Sequence, residues 1–286
     1  MKIVVASGKG GVGKSMLASS LAILFSKSKK IVACDCDVDA PNLGLWLGVT
    51  QYEKIEKISV SEKAKIINQE ACDDKILNIC KFHAIEKRNG KYFINPFLCE
   101  GCGVCKILYP NAVEIKAVEN AEIRSVKTKY GFPLISAQLY PGETGSGKIV
   151  QELRKRADEF DYDVMILDAA AGIGCPVIAS IVDSDFAVLI TEPTPSGLSD
   201  LGRVLEIVNH FHLPYSVVIN KWDINPAVAV EIEKKFRDKL LGKISYDKKV
   251  IQAIVNLKPM IETDSKVVEE IEMIFKNLKR KISKSN

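Results

Sequence analysis

The sequence predicts an α/β fold, a doubly wound and mainly parallel sheet, interrupted by a small cysteine-bearing insertion. Three observations predict it. Short β-branched runs recur along the chain, each followed by a stretch of helical character. A glycine- and lysine-rich loop directly follows the first run. Five of the eight cysteines crowd between positions 72 and 105, where the alternation breaks down.

The runs are Ile3-Val-Val-Ala, Ile31-Val-Ala-Cys, Val164-Met-Ile-Leu, Phe186-Ala-Val-Leu-Ile and Tyr215-Ser-Val-Val-Ile. Continuous apolar strands are expected when helices cover both faces of a sheet. Repeated alternation with helices makes that sheet parallel. Its ligands then lie beyond the carboxyl ends of the strands, so the residues just after each run are the candidates. From about position 52 to 130 the chain is lysine-rich and loses its helical period, with turns at Asn89-Gly90 and Asn95-Pro96. We read residues 1–58 and 120–286 as one domain and 59–119 as the insertion. Near the end, Val267, Val268, Ile271, Ile274, Leu278 and Ile282 have the spacing of a helix packed on the sheet. Membrane contact by the basic tract at 279–284 is the alternative.

With 286 residues, 47% hydrophobic and 27% charged, the chain can bury a sizeable core. A net charge of +4 gives no reason to expect nucleic acid or a membrane as partner. No apolar run reaches the roughly 20 residues that span a bilayer. The N-terminus lacks the layout of a signal peptide, so a cytoplasmic protein is expected. In a reducing compartment, clustered cysteines more often bind metal than pair as disulfides.

Gly8-Lys-Gly-Gly-Val-Gly-Lys14-Ser15 fits G-x-x-x-x-G-K-[ST] between a strand and a helix. Glycines there let backbone N–H groups face phosphates, while the lysine reaches the β- and γ-phosphates and the hydroxyl ligates Mg²⁺. The cradle is expected to comprise Gly8, Gly10, Gly11, Val12, Gly13, Lys14, Ser15 and Met16, with ATP and Mg²⁺ as cofactors. A second stretch, Gly142-Glu-Thr-Gly-Ser-Gly147-Lys148, imitates the motif. Ile149 replaces its hydroxyl and no clear apolar strand leads into it, so it is not expected to bind nucleotide.

Lys9 narrows the reading. The string from Lys9 to Ser15 resembles the deviant Walker loop of the MinD/ParA family, which includes the nitrogenase iron protein and Mrp-type cluster carriers. The resemblance implies an ATP-hydrolysing dimer in which Lys9 reaches the partner's nucleotide. Asp35-Cys-Asp37-Val-Asp39 resembles the family's first switch, which implies that Asp37 positions the attacking water and Asp35 supports Mg²⁺ through water. Asp168 resembles the Walker-B aspartate that holds Mg²⁺ beside Ser15. Ala171-Gly172 is similar to the MinD-type second switch, whereas cluster carriers more often show D-G-P-P-G. Asn220 matches the position that contacts adenine. Lys9, Lys14 and Asp37 are thus the expected catalytic set.

Cys99-Glu-Gly-Cys102-Gly-Val-Cys105 is the start of a bacterial ferredoxin run, whose fourth cysteine ligates the other cluster of a pair. Tyr109, before Pro110, stands in that fourth place. The ligand to complete the first three then comes from an earlier half-motif, and Cys80-Lys-Phe-His-Ala-Ile is similar to the end of one. Cys72 stands where that half would begin, without its two middle cysteines. These losses fall on one cluster and leave the other whole. One [4Fe–4S] cluster on Cys80, Cys99, Cys102 and Cys105 is the expectation, with zinc and a metal-free vestige as alternatives.

Cys34 and Cys36 are expected to pack as small apolar groups. The whole resembles a MinD-type ATPase with an inserted ferredoxin-like domain. Expected partners are a second copy or a similar ATPase chain, and a redox or iron–sulfur client. Three functional classes remain open: an electron-transfer ATPase, a cluster carrier, and a positioning ATPase with a structural metal site.

Overall fold

The computed structural model describes residues 1–283, so Lys284 of the basic tract lies outside the described residues. The strands are β1 (Lys2–Ser7), β2 (Ile31–Cys36), β3 (Lys54–Ile58), β4 (Ser61–Ile66), β5 (Ile85–Arg88), β6 (Lys91–Ile94), β7 (Val113–Val118), β8 (Ala121–Lys127), β9 (Pro133–Leu139), β10 (Val164–Ala171), β11 (Phe186–Thr191), β12 (Tyr215–Asn220) and β13 (Leu240–Ile244). The helices are α1 (Lys14–Ser26), α2 (Leu43–Trp46), α3 (Val104–Leu108), α4 (Ser146–Asp158), α5 (Cys175–Ile181), α6 (Pro195–His210), α7 (Pro226–Phe236), α8 (Lys249–Val255) and α9 (Val267–Ile282).

Nine strands form one sheet in the order β13-β12-β11-β1-β10-β2-β9-β8-β3. The pairs from β13 through to β9 are all parallel. The five anticipated runs are β1, β2, β10, β11 and β12, and they are buried almost throughout, as a two-sided sheet requires. One expectation needs correcting. A strand does lead toward the imitation loop: β9, whose Leu134–Ala137 are buried beside β2. Its Ser136 and Gln138 hide it from an apolar-run reading.

The chain divides into two units, Met1–Ile55 with Ile123–Gln138 and Ser146–Asn286, and Glu56–Glu122 with Leu139–Gly145. In the first, α1 is buried along nearly its whole length, and its Ser19 and Ser20 hydroxyls both donate to the Met16 carbonyl. On α9 the buried residues Val267, Ile271, Ile274, Leu278 and Ile282 make the stripe read from the sequence. Each such side chain contributes about 1.5–3 kcal/mol on burial. Glu269 and Glu270 in the first turn and Lys279–Lys281 in the last complement the helix dipole. Among the described residues no helix is long and apolar enough to cross a membrane.

The second unit is built from an antiparallel β4–β7 pair and a β5–β6 hairpin. The hairpin closes on Asn89-Gly90, both at positive φ (49° and 75°), the geometry a two-residue turn between twisted strands favours. Its core is small: Ala64, Ile76, Ala84, Ile85, Tyr92, Cys99, Ala112 and Val113.

Candidate functional site

Register brings the first set of candidates together. Val5, Asp168 and Asp35 are aligned across the adjacent strands β1, β10 and β2. The loop from β1 into α1 begins at the same level. Gly8 passes so close to the Asp200 backbone that a Cβ would lie 2.1 Å from its carbonyl oxygen. Gly13 caps α1 at φ 90°, and a Cβ there would meet the Asn220 amide at 2.4 Å. Both positions therefore need glycine.

A cavity of about 490 Å³ opens on this loop. Of the predicted residues, Lys9, Gly10, Gly11, Gly13, Lys14, Ser15, Met16, Asp37 and Asn220 line it, whereas Gly8, Val12, Asp35 and Asp168 do not. The Lys14 Nζ lies 3.0 Å from Asp168 Oδ1, both side chains being buried. Burial works against the lysine's charge, but Asp168, with Asp37 and Asp35 beyond it, outweighs this and holds the ammonium above its ordinary pKa. Asp35 accepts the N–H groups of Leu43 (2.8 Å) and Asp37 (3.3 Å), while burial and the neighbouring Asp168 push its carboxyl well up. Burial also raises Asp37, against the pull of Lys14 and the Ala40 N–H. Asp168 Oδ2 is buried with no hydrogen-bond partner. An unsatisfied carboxylate oxygen next to Lys14 suits a divalent cation, since buried polar atoms rarely stay unpaired.

The Asn220 amide braces the loop, donating to the Val12 carbonyl at 2.7 Å and accepting the Lys221 N–H at 2.9 Å. Sequence reasoning missed the apolar side of the cavity, formed by Leu45, Trp46, Tyr246, Val250, Ile251 and Ile254. The helical spacing of the last three was the available signal. It also missed Glu192, which follows β11 and pairs with both Lys9 and Lys221. Asp39 is exposed and outside the cavity lining.

The second set lies in the other unit. Cys80, Cys99, Cys102 and Cys105 line one cavity of about 390 Å³, with Ala64, Ile79, Phe82, Ala84, Ile85, Ile94 and Val104 among its apolar walls. The Cys99 sulfur accepts the Ala64 N–H at 3.3 Å, and the Cys80 sulfur accepts the Ala84 N–H at 3.4 Å. Gly101, at φ 65°, leaves room where a Cβ would lie 2.0 Å from the Glu62 carbonyl oxygen. Burial raises the Cys105 thiol, the Lys106 N–H opposes this, and the neighbouring sulfurs of Cys99 and Cys102 add to it. The remaining half of the motif is occupied differently. Tyr109 donates to Asp73 at 2.5 Å, which pushes its hydroxyl up to about 12, and the Cys72 thiol donates to the Asn68 carbonyl at 3.4 Å. Among the described residues, no group of three or more His, Cys, Asp or Glu is arranged to hold a single metal ion. Cys34 and Cys36 are fully buried on β2, where burial pushes Cys36 up to about 12 and keeps it a thiol.

Residues 3–260 match the CobQ/CobB/MinD/ParA nucleotide binding domain. The chain belongs to this family. It is 39% identical to the Methanocaldococcus jannaschii protein MJ0578 over 279 residues, 98% of this chain and 96% of that one. Among solved structures it is similar to the cell division ATPase MinD of Pyrococcus furiosus, with a TM-score of 0.61, 18% identity, and 98% of each chain covered. It is equally similar to MinD complexed with Mg-ADP from Pyrococcus horikoshii, with a TM-score of 0.61, 18% identity and coverage of 100% and 98%. At that identity the likeness is one of fold. Membership makes the chain a P-loop, ATP-binding protein of the MinD/ParA type, and the glycine loop with Lys14 and Ser15 is where such a domain keeps its phosphates.

Proposed function

We propose that this chain is a Mg·ATP-dependent switch that hydrolyses ATP and holds one [4Fe–4S] cluster, coupling its nucleotide state to that cluster. At the first cavity Lys14 would neutralise the β- and γ-phosphates, and Ser15, with Asp168 and Asp35 behind the lining, would hold Mg²⁺, which would supply charge neutralisation at those phosphates. Asp37 orients the attacking water. Its oxygen bonds to the γ-phosphorus as the bond to the β–γ bridging oxygen breaks, releasing ADP and phosphate. Lys9, from a second copy or a similar chain, offsets the charge developing on that phosphoryl group. Asn220 contacts the adenine as well as bracing the loop.

The observation that carries the finer reading is the cysteine cavity. Cys80 and the Cys99–Cys105 run are separate in sequence, yet all four cysteines line one largely apolar cavity, and the sulfurs of Cys80 and Cys99 accept backbone N–H groups. Thiolates so placed are stabilised by those donors, and the glycines at 101 and 103 allow close approach of the backbone. A cluster bound there supplies a one-electron redox couple. Tyr109 and Asp73 occupy the place of the lost ligand in the other half-motif, which supports a stoichiometry of one.

Anaerobic purification with iron, sulfide and zinc analysis tests this, joined to EPR before and after dithionite with and without Mg·ATP. About one [4Fe–4S] signal per chain that shifts with Mg·ATP is expected. Zinc without sulfide, or protein that stays colourless after reconstitution, would remove the cluster and leave the ATPase. The exposure of Cys102 favours a second reading, a cluster carrier. Transfer of iron and sulfide to an apo-ferredoxin separates the two.

A further inference from the structure

The imitation phosphate loop straddles the two units: residues 142–145 belong to the second and residues 146–148 to the first. It closes a short passage of the second unit, Leu139–Gly145, that the first unit flanks in sequence at both ends. At the leading end, Gln138 donates long hydrogen bonds, 3.5 Å each, to the Val38 and Asp39 carbonyls of the first-switch segment. At the trailing end, Gly147 runs against the start of α5, just after the second-switch pair Ala171-Gly172. A Cβ on Gly147 would lie 3.1 Å from the Cys175 Cβ and 3.2 Å from the Cys175 carbonyl oxygen. Further along α4 the buried Arg154 donates to the Ala179 carbonyl at 2.6 Å and to that of Val182, which ties α4 to α5.

The passage is held as firmly within the second unit. Tyr140 donates its N–H to the Asn120 carbonyl at 2.9 Å, and the fully buried Asn120 amide donates to the Thr144 carbonyl at 2.8 Å. Only Gly145 separates that anchor from the first residue of α4. Glu143 lies 2.9 Å from the buried Lys63 ammonium, which donates to the Pro96 carbonyl at 2.6 Å. Phe97 covers Gly142 so closely that a Cβ there would lie 2.7 Å from its ring. Beside Lys63 in sequence, Ala64 lines the cysteine cavity and gives its N–H to the Cys99 sulfur.

We infer that Leu139–Gly145 is a relay, its two ends tied to the two switch segments and its middle holding the frame of the cysteine cavity. This deepens the proposed coupling of nucleotide and cluster, and rests on it. With one residue between Thr144 and α4, a displacement of the helix start has little chain in which to dissipate, and it reaches Glu143. Lys63 then follows its counter-charge, because separating the pair leaves a buried ammonium uncompensated. Lys63 carries with it the Ala64 N–H and the Pro96 carbonyl, and the hydrogen bonds to a ligating sulfur tune what it holds. The stretch that mimics a phosphate loop thus serves the cluster site.

The test inserts Gly-Gly between Gly145 and Ser146 to slacken the relay, and separately makes Gln138→Ala to release its leading end. Each full-length variant is reconstituted anaerobically, with iron and sulfide analysed and Mg·ATP binding followed by calorimetry. The readout is EPR of the dithionite-reduced protein with and without Mg·ATP. The shift caused by Mg·ATP is expected to be lost in the insertion variant and reduced in Gln138→Ala, with the cluster retained in both. By linkage, removing the cluster should also cease to alter Mg·ATP affinity in the insertion variant. A full shift in the cluster-loaded insertion variant, or in Gln138→Ala should the insertion variant lose its cluster, would overturn the inference alone. Loss of the cluster or of Mg·ATP binding in both variants would make the passage part of the sites themselves, and would overturn it too. A parent chain whose cluster signal ignores Mg·ATP would overturn the coupling on which the inference rests.

Discussion

The two cavities differ in how much of their order exists before a ligand arrives. The first cavity stands on parallel strands that are buried almost throughout, and a buried ion pair ties Lys14 of its lining to Asp168 behind it. The cysteine cavity stands on two-stranded ribbons around a small core, with Phe82, Leu98, Val104, Ile107 and Leu108 exposed near it. Under the proposed function, a small unit with that much uncovered apolar surface is expected to draw stability from the cluster its cysteines would hold. The scaffold makes the first site, and we expect the ligand to make the second.

The sharpest way to break the comparison is to remove a cysteine. Cys99→Ser should bring iron and sulfide to background and melt the second unit, while the first keeps its fold by circular dichroism. Under the proposed coupling, ATP turnover or dimerisation should also change by at least about twofold, and indifference of both would count against it. Next comes Lys14→Ala, expected to lower Mg·ATP hydrolysis by about 100- to 1,000-fold in a phosphate-release assay while iron content holds. Loss of iron in that variant would tie the two cavities more tightly than their separate cores suggest. Ile271→Ala on α9 should cost about 3 kcal/mol in urea unfolding followed by far-UV signal, with the cluster spectrum unchanged. Smallest is Glu262→Gln. Burial raises the Glu262 carboxyl, but the Tyr130 hydroxyl and Lys129 outweigh it and hold it below the ordinary glutamate range. A depressed acid stabilises above its unfolded pKa and loses that contribution as pH falls through the folded value. The variant should therefore cost about 0.5 kcal/mol at neutral pH and nothing once the pH has fallen through the lowered folded value of Glu262.

The same contrast explains what the sequence made legible. Strands buried on both faces declare themselves as unbroken apolar runs, so β1, β2, β10, β11 and β12 could be read directly. Strand β13 (Leu-Leu-Gly-Lys-Ile) and β9 could not, because Gly242, Lys243 and Gln138, all only partly buried, interrupt their apolar runs, and β13 stands at the end of the strand order. The glycine loop was legible because phosphate binding needs several special backbone positions in one contiguous stretch. Glu192 was not, because a lone acid after a strand has no distinguishing local signal, and only folding sets it against Lys9 and Lys221. The cysteines could be grouped only by comparing two half-motifs, which gave the set but not the hydrogen bonds at Ala64 and Ala84.

The passage of the chain between its two units has a consequence for how the protein is made. The second unit takes in Leu139–Gly145 as well as Glu56–Glu122, so the chain crosses between the units four times. Lys63 is buried and donates to the Pro96 carbonyl at 2.6 Å, but its counter-charge is Glu143, close at 2.9 Å though not aligned as a hydrogen bond. A ribosome delivers Lys63 long before Glu143, and until then a closed second unit holds an uncompensated ammonium, which is strongly unfavourable. The unit that carries the cysteines thus waits for β9 and the turn after it to be synthesised. Under the proposed function, a cluster offered earlier would meet an open chain.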